Sequence, residues 1–279
     1  MAHDYNQCDA SPRSAFRAAS LAFLALLGID AGQARAADFH VSEMGSDDNP
    51  CTAAAPCRTI GRACQAIAGT PEPSRDAVHV ADGTYSGACD VAHYRFVWVI
   101  GNCAAPAKVK VLGAPNATIF HVQDHSTLHI RCMELGSHGN GTIGFASRQY
   151  AIGDYDNIRW GHMPGGIHVS VQEASKINCT GPSWIVRDPG GNGGALQHMQ
   201  ASNQSQVYCT TSIDIPERVT FADSFVSITW RSLGYFPGLS VTGAGIVGQK
   251  YRVVDGTLIG ADNLPGRRSS TAHNGVSVP

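Results

Sequence analysis

Ser175-Lys176-Ile177-Asn178-Cys179 is one of five similar pentapeptides that recur along the middle of this chain. Each has Ile or Val at its centre, a polar residue on either side, and Cys or Trp two places further on. An apolar residue at every second position is the period of a half-buried β-strand. The five copies occupy residues 128–132, 156–160, 175–179, 205–209 and 226–230.

The spacing of these strands predicts a repetitive fold. Their central residues are 28, 19, 30 and 21 residues apart, a period of about 24 residues, which is typical of solenoids and propellers. One short strand per repeat predicts an all-β, single-stranded right-handed parallel β-helix. In one common register, the final residues of the five copies would point into the core: Cys132, Trp160, Cys179, Cys209 and Trp230.

Composition agrees with this fold and excludes one class of function. The chain has 279 residues, of which 15% are charged, and its net charge is −2. A balanced charge of this size gives no electrostatic footprint for nucleic acid. The 31 glycines and the lack of long amphipathic helical patterns favour many short strands joined by turns.

The first 36 residues have the pattern of a signal peptide. Arg13 and Arg17 precede an apolar run at 18–27, and Ala34-Arg35-Ala36 fits a cleavage site. The run is shorter than the ~20 residues that span a membrane. We therefore predict export to the periplasm, cell surface or medium, with no membrane association after cleavage. The predicted domains are a leader (1–36), a capped β-helix (37–240), and a C-terminal β-rich segment with a flexible tail (241–279).

Export makes disulfide bonds expected. Cys51 and Cys57 flank a turn that contains proline and are plausible partners, and Cys89 could bridge to Cys103 in a neighbouring coil. The inward cysteines of the pentapeptides are interpreted as small apolar core fillers: Cys132, Cys179 and Cys209. The chain has no cysteine or histidine cluster with zinc spacing, so we predict no metal.

The N-terminal segments carry a resemblance to a known family. A strand and polar turn at Val41 to Asn49 are followed by Pro56-Cys57-Arg58-Thr59-Ile60, and then by a strand and turn at Val78 to Tyr85. From Thr59, apolar residues at helical spacing predict a short helix to residue 68. This order resembles the opening of secreted proteins of the pectin-lyase-like superfamily. The resemblance implies a right-handed parallel β-helix whose core is covered by an N-terminal helical cap.

A second resemblance lies near the C-terminus. Residues 243–253 and 263–266 are similar to the last strand and turn of a family of β-helix proteins from proteobacteria and their phages. Lys250 and Leu264 replace the Arg and Phe of that pattern. The resemblance implies the same fold and supplies no catalytic residues.

Two sets of outward positions could bind a ligand. Polar residues that flank the pentapeptide centres include Arg131 and Tyr208, and an arginine fork can grip a carboxylate. The residues nine positions before four of the centres are predicted to form a second outward column: His121, Gln149, His168 and His198. These side chains could contact a substrate, and the histidines titrate near neutral pH. A solvated sheet face must be polar in any case, which is the competing interpretation.

A third set could be catalytic. Four residues before two of the centres, Asp154 and Glu173 would lie one coil apart, and glycoside hydrolysis uses two carboxylates. The superfamily resemblance implies instead an Arg or Lys base, commonly with calcium held by acidic residues. Arg159 and Lys176 are the candidates for that base. Acidic and amide residues are also common in turns for backbone reasons alone.

Two functions follow from these patterns. The first is a secreted or surface protein that binds a polysaccharide along a polar sheet face without cleaving it, in the manner of an adhesin or a tail-like homotrimer. The second is a lyase or glycoside hydrolase that acts on an acidic glycan. The first needs no cofactor, and a lyase would add calcium. No motif of another enzyme class occurs in the sequence, and a fold does not by itself determine the function.

Overall fold

The computed structural model of the chain describes residues 36–70, 75–188, 193–267, 270–272 and 276–278, with side chains up to residue 267. The predicted leader lies outside the described residues, except for Ala36. Among the described residues, no helix is long and apolar enough to cross a membrane.

The strands form two sheets. Sheet A contains β1 (Asp38–Val41), β2 (Arg75–Val80), β3 (Gly83–Ser86), β5 (Phe96–Ile100), β6 (Val109–Leu112), β8 (Thr127–Gly136), β10 (Ile152–Trp160), β12 (Lys176–Cys179), β13 (Ser183–Ile185), β15 (Gln206–Cys209), β16 (Ser212–Ile215), β18 (Leu233–Tyr235), β19 (Ser240–Gly243), β21 (Thr257–Ile259) and β23 (Val276–Val278). Sheet B contains β4 (Cys89–Val91), β7 (Thr118–Val122), β9 (Ile143–Ser147), β11 (Met163–Val171), β14 (Gly194–Ala201), β17 (Val219–Thr229), β20 (Ile246–Val254) and β22 (Ser270–Ala272).

Strand pairing confirms the predicted parallel β-helix. Every pair of named strands is parallel, and each strand pairs with the strand that occupies the same place in the next coil. The result is a solenoid of about seven turns. Side chains that point between the sheets form one continuous apolar core, from Val41 in β1 to Leu264 after β21.

The predicted N-terminal helix is confirmed as α1 (Ile60–Ala68). The hydroxyl of Thr59 accepts a hydrogen bond from the Arg62 amide, so Thr59 is the N-cap. Helical spacing turns four apolar side chains towards the core, where all are buried: Ile60, Ala63, Cys64 and Ile67. The helix packs on β1, β2 and β4, which places it as a cap against the first coil. A short 3₁₀ helix, Pro106–Lys108, precedes β6.

The five pentapeptides do not share one register, which corrects the sequence-based alignment. Ile177 pairs with Val207 as expected, but the residue that faces Ile130 is Tyr155 rather than Ile158. The cause is a bend within β8 and β10, where Cys132 and Asn157 have φ values of 63° and 55°. The bend interrupts the inward and outward alternation of each strand, so residues before and after it cannot be counted as one series.

The last pentapeptide departs further from the prediction. Ile228 belongs to sheet B, not to sheet A. Trp230 was predicted to point inward, and this is wrong, because its side chain is 66% exposed. It lies just beyond β17, where the backbone turns with a φ of 55°.

Successive coils turn from sheet B to sheet A through two adjacent non-glycine residues with positive φ, which we call the left-handed corner. In each pair the amide of the second residue donates to the carbonyl of the first residue one coil further on, for example from Tyr150 to Glu173 and from Ala174 to Asn203. The pairs are His93–Tyr94, Asp124–His125, Gln149–Tyr150, Glu173–Ala174, Asn203–Gln204 and Trp230–Arg231.

Buried serines follow the left-handed corner. The Ser205 hydroxyl accepts a hydrogen bond from the Ser175 amide, and the Ser232 hydroxyl accepts one from the Ser205 amide. Ser126 and Ser175 accept in the same way from Arg95 and Ala151 in the preceding coils. We call this set the serine ladder: Ser126, Ser175, Ser205 and Ser232. It supplies acceptors to buried backbone amides that follow the turn, at a place where an amide without a partner would be costly.

All eight cysteines within the described residues are paired. The predicted bond between Cys51 and Cys57 is confirmed. The predicted bond between Cys89 and Cys103 is wrong, because Cys89 starts a strand of sheet B whereas Cys103 follows a strand of sheet A. The pentapeptide cysteines are buried as predicted, but they are bonded rather than simple core fillers. The other three disulfides are Cys64–Cys89, Cys103–Cys132 and Cys179–Cys209.

Removal of the Cys179–Cys209 bond should destabilise the coils that it joins. The bond closes a loop of 30 residues, so a Cys179→Ala/Cys209→Ala variant should lose about 3–4 kcal/mol of unfolding free energy. Guanidinium unfolding measures this loss. The matched control is Cys51→Ala/Cys57→Ala, whose loop of 6 residues predicts a loss of about 2 kcal/mol. An unchanged unfolding free energy in the first variant would contradict the pairing.

Candidate functional site

One row of side chains runs along the outer face of sheet A. Register pairing brings one residue from each of six consecutive coils into line. Since stacked strands lie ~4.8 Å apart, the row extends about 24 Å along the solenoid. We call it the sheet A row: Trp98, His129, Asp154, Asn178, Tyr208 and Tyr235.

Strand alternation places the sheet A row outside. In β12, Asn178 lies between Ile177 and Cys179, which are both buried, and in β15 Tyr208 lies between two buried residues in the same way. Successive side chains of a strand point to opposite faces, so the residues between the buried ones face outward. The predicted contact residue Tyr208 is therefore on this face.

Contacts along the sheet A row hold its side chains in place. At one end the rings of Trp98 and His129 stack with centroids 4.0 Å apart, and at the other end Tyr208 and Tyr235 stack at 5.0 Å. Between them, the Asn178 amide nitrogen donates to the Asp154 carboxylate at 2.6 Å. The row thus combines aromatic surface at both ends with polar groups in the middle.

A carboxylate that the sequence reasoning missed lies beside the row. Asp156 is 2.9 Å from Nε2 of His129 and 3.5 Å from Nε of Arg131. Burial lowers the pKa of His129, although the hydrogen bond to Asp156 opposes this shift. The imidazole is then neutral at pH 7 and donates its Nε2 proton to the carboxylate. Asp156 is two residues before the buried Ile158, so regular alternation would point its side chain inward. Asn157 lies between the two residues in the left-handed conformation and breaks the alternation, so the Asp156 side chain points outward.

Beyond the bend, a second carboxylate is held between two cations. Glu134 is 2.9 Å from the Lys110 ammonium group and 3.0 Å from Nε of Arg159. The three residues are on adjacent strands in register. Arg159, a candidate catalytic base, is thus engaged with Glu134.

The four predicted catalytic residues occupy three different places. Asp154 and Lys176 lie on adjacent strands of the sheet A face, where the Lys176 ammonium group is 5.3 Å from the centre of the Tyr208 ring. Arg159 lies beyond the bend, and Glu173 is exposed at the left-handed corner. The structure therefore brings Asp154 and Lys176 onto one face and leaves Arg159 and Glu173 on others.

The predicted outward column of histidines is wrong. His168 and His198 are fully buried in the core, where they contact the rings of Trp160, Phe221 and Phe225. Their direction was inferred from apolar neighbours taken to point inward, but Ile167 beside His168 is itself partly exposed. The other two members lie elsewhere: His121 pairs with Ala146 in sheet B beside Asp90, and Gln149 is exposed at the left-handed corner.

The two buried histidines hydrogen-bond to each other. Nε2 of His168 donates to the Gly161 carbonyl at 2.9 Å, so its Nδ1 accepts from Nδ1 of His198, also at 2.9 Å. Burial lowers the pKa of His168 to about 3 and lowers that of His198 well below its ordinary value. Both imidazoles are therefore neutral and structural.

Over the described ranges, no three His, Cys, Asp or Glu side chains form a group that could hold a metal ion. Asp154 and Glu173, the two carboxylates predicted for glycoside hydrolysis, lie on different faces and could not share a calcium ion.

The buried histidine pair should make the fold sensitive to acid. An unfolded histidine has a pKa of about 6.5, whereas the folded values are lower, so below pH 6.5 the unfolded chain binds more protons. The free energy of unfolding should fall by up to about 1.4 kcal/mol per pH unit for each histidine, until the pH nears the folded pKa. Denaturant unfolding between pH 7 and pH 4.5 measures this slope.

A His168→Leu/His198→Leu variant should lose the contribution of the pair to that slope. The control His138→Gln changes an exposed histidine and should keep the slope. If the double variant and the wild-type protein responded equally to acid, the two histidines would not be the neutral pair described.

Comparisons with known proteins name no family for this chain. No protein-family model matches the chain, and no curated protein does. Among solved structures, it is similar to a rhamnogalacturonan lyase, with 12% identity over 80% of this chain and 68% of the other and a TM-score of 0.46. It is also similar to the pectin methylesterase of Aspergillus niger in deglycosylated form, with 14% identity over 88% and 93% and a TM-score of 0.36. The parallel β-helix implied by the resemblance to the pectin-lyase-like superfamily is confirmed by the strand pairing of the chain itself.

Proposed function

We propose that this protein binds a polysaccharide along the sheet A row and does not cleave it. The observation that supports this function most directly is the row itself, in which six coils each contribute one outward side chain. A linear array of about 24 Å matches an extended chain ligand better than a small molecule, which would need an enclosed cavity.

The chemistry of the face suits a glycan. Tyr208 and Tyr235 offer flat apolar surface to the faces of sugar rings, and Asp154 and Asn178 offer acceptors and donors to hydroxyl groups. Lys176 adds a cation beside Tyr208, and Arg131 a fork suited to a carboxylate. The ligand that these groups favour is a polysaccharide that carries some acidic sugars.

The state of the carboxylates supports binding rather than hydrolysis. Asp154 accepts from Asn178, Asp156 from His129, and Glu134 lies between Lys110 and Arg159. Glycoside hydrolysis needs two carboxyl groups that face the scissile bond from opposite sides, one of them protonated. Carboxylates that are held by basic or amide neighbours stay ionised and keep the side chains of the binding face in position, but none of them is a protonated acid for hydrolysis.

One observation favours a second candidate function, the β-elimination of an acidic glycan. His129 is a neutral imidazole held by Asp156, and Arg131 is beside it. A neutral histidine oriented by a carboxylate can act as a general base. It would remove the proton next to the sugar carboxylate, and the electron pair of that C–H bond would form the double bond of an unsaturated uronate. The bond to the glycosidic oxygen would break at the same time, and that oxygen would leave as an alcohol after taking a proton from water.

The disulfides support a location outside the cytoplasm. Four bonds within one chain are typical of an oxidising compartment. We therefore propose that the protein is secreted or displayed at the cell surface, where polysaccharides are accessible.

A binding experiment tests the main proposal. Affinity electrophoresis in gels that contain pectin, alginate or a neutral glycan should show retardation by at least one acidic glycan. Tyr208→Ala should weaken that binding about tenfold, since one stacked ring contributes about 1.4 kcal/mol. The matched control, Tyr94→Ala, removes an exposed tyrosine from the left-handed corner and should bind the acidic glycan as the wild type does. If Tyr208→Ala bound as tightly as wild type, the sheet A row would not be the site.

A product assay separates the two candidate functions. The same glycans are incubated with the purified protein, and the absorbance of unsaturated uronates is followed over time. The binding proposal predicts no product. Product that forms with wild type and disappears in His129→Gln would establish the elimination instead.

A further inference from the structure

A stack of rings runs along the left-handed corner. Tyr94, His125 and Tyr150 occupy the second position of three consecutive corner pairs, where the amide of each bonds to the next coil. Their ring centroids are 5.1 and 5.3 Å apart, and the planes are tilted by only 14° and 17°. The backbone repeat of the solenoid thus sets the spacing of the stack.

The ring stack stops although the corner continues. The next residue in the column is Ala174, which has no ring, so the face of Tyr150 towards it is uncovered. Tyr150 is 64% exposed. Further along, Trp230 is 66% exposed and forms the opposite wall. Between these two aromatic residues is an open groove of about 480 Å³.

The polar groups of the groove indicate what could fill it. Gln149, Asn203 and Gln204 line it with carboxamides, which both donate and accept hydrogen bonds. Its charged residues are Glu173, Asp255 and Arg231, so carboxylates outnumber cations. This balance disfavours a uronate. A purely aromatic ligand is disfavoured too, because it would cover the carboxamides without satisfying them.

We propose that this groove is a second carbohydrate site, which binds a neutral sugar whose ring stacks on Tyr150 above Ala174. The sugar continues the ring stack by one step. Its hydroxyl groups bond to the carboxamides of Asn203 and Gln204, and Trp230 contacts the following sugar residue. The site lies at the left-handed corner and not on the sheet A face, so it does not depend on the function proposed for that face.

The chain itself offers a way to close the site. Ala174 has a φ of 57°, and Tyr94 and Tyr150 adopt φ values of 57° and 63° at the same position of their coils. A tyrosine at position 174 is therefore compatible with the backbone. In Ala174→Tyr the protein's own ring would occupy the place of the sugar.

The test is a titration with neutral trisaccharides of glucose, mannose and galactose, followed by tryptophan fluorescence and by calorimetry. At least one should bind and change the emission of the exposed Trp230. In Trp230→Phe, which keeps an aromatic ring, binding should persist in calorimetry while the fluorescence change is lost. Ala174→Tyr should weaken binding by about tenfold or more.

The control variants separate this site from the sheet A row. Ala174→Ser adds one hydroxyl group without filling the groove and should keep the wild-type affinity. Tyr208→Ala should also keep it, because Tyr208 is on the other face. The proposal is overturned if no neutral trisaccharide binds, or if Ala174→Tyr binds one as tightly as the wild type does. It is also overturned if galacturonate oligomers, titrated in the same way, are the only sugars that change the fluorescence of Trp230.

Discussion

The hydrogen bonds that pass from one coil to the next at the left-handed corner are the constraint on which the rest of the solenoid depends. A non-glycine residue in the left-handed region costs about 1–2 kcal/mol, and this chain places two in succession at the corner of each of several coils. The amide of each second residue is satisfied by a carbonyl in the adjacent coil, and the serine ladder satisfies the buried amides just beyond it. Neither arrangement exists in a single coil. The corner is therefore stable only when coils are stacked in register, which couples the local turn to the whole array.

This coupling explains why both candidate ligand surfaces are rows. Once the corners are aligned, any position in one coil lies directly above its equivalent in the next, so similar side chains repeat along the solenoid axis. On sheet A the repetition aligns Asn178, Tyr208 and Tyr235, and at the corner it aligns the rings that end at Tyr150. The two surfaces differ in charge. On the first, Lys176 and Arg131 balance Asp154 and Asp156, whereas on the second Glu173 and Asp255 outnumber Arg231. One backbone repeat thus supports two chemically different faces.

The fold could be predicted from the sequence, whereas the faces could be predicted only in part. Alternation in the pentapeptides and the helix spacing from Ile60 to Ile67 are local signals, and both gave the correct element. The direction of a side chain several residues from a pentapeptide centre depends on every backbone irregularity in between. Left-handed Asn157 reversed the expected direction of Asp156, and His168 points inward although its apolar neighbour Ile167 is the partly exposed residue. A better signal was present: Ser175 and Ser205 each follow a corner pair, and they mark the true register more reliably than Ile158 or Ile228 did.

The disulfides are distributed unevenly along the solenoid, so its two ends differ in how firmly they are held. Three of the four bonds lie between Cys51 and Cys132, including the one that ties α1 to β4, and the last joins β12 to β15. A stacked repeat opens from its ends, because a terminal coil has a neighbour on one side only. The N-terminal end is closed by covalent bonds, whereas the described coils after Cys209 are held by hydrogen bonds and packing alone. We therefore expect unfolding to begin in the C-terminal coils. The Cys179–Cys209 bond is the first covalent link between coils that such unfolding would reach.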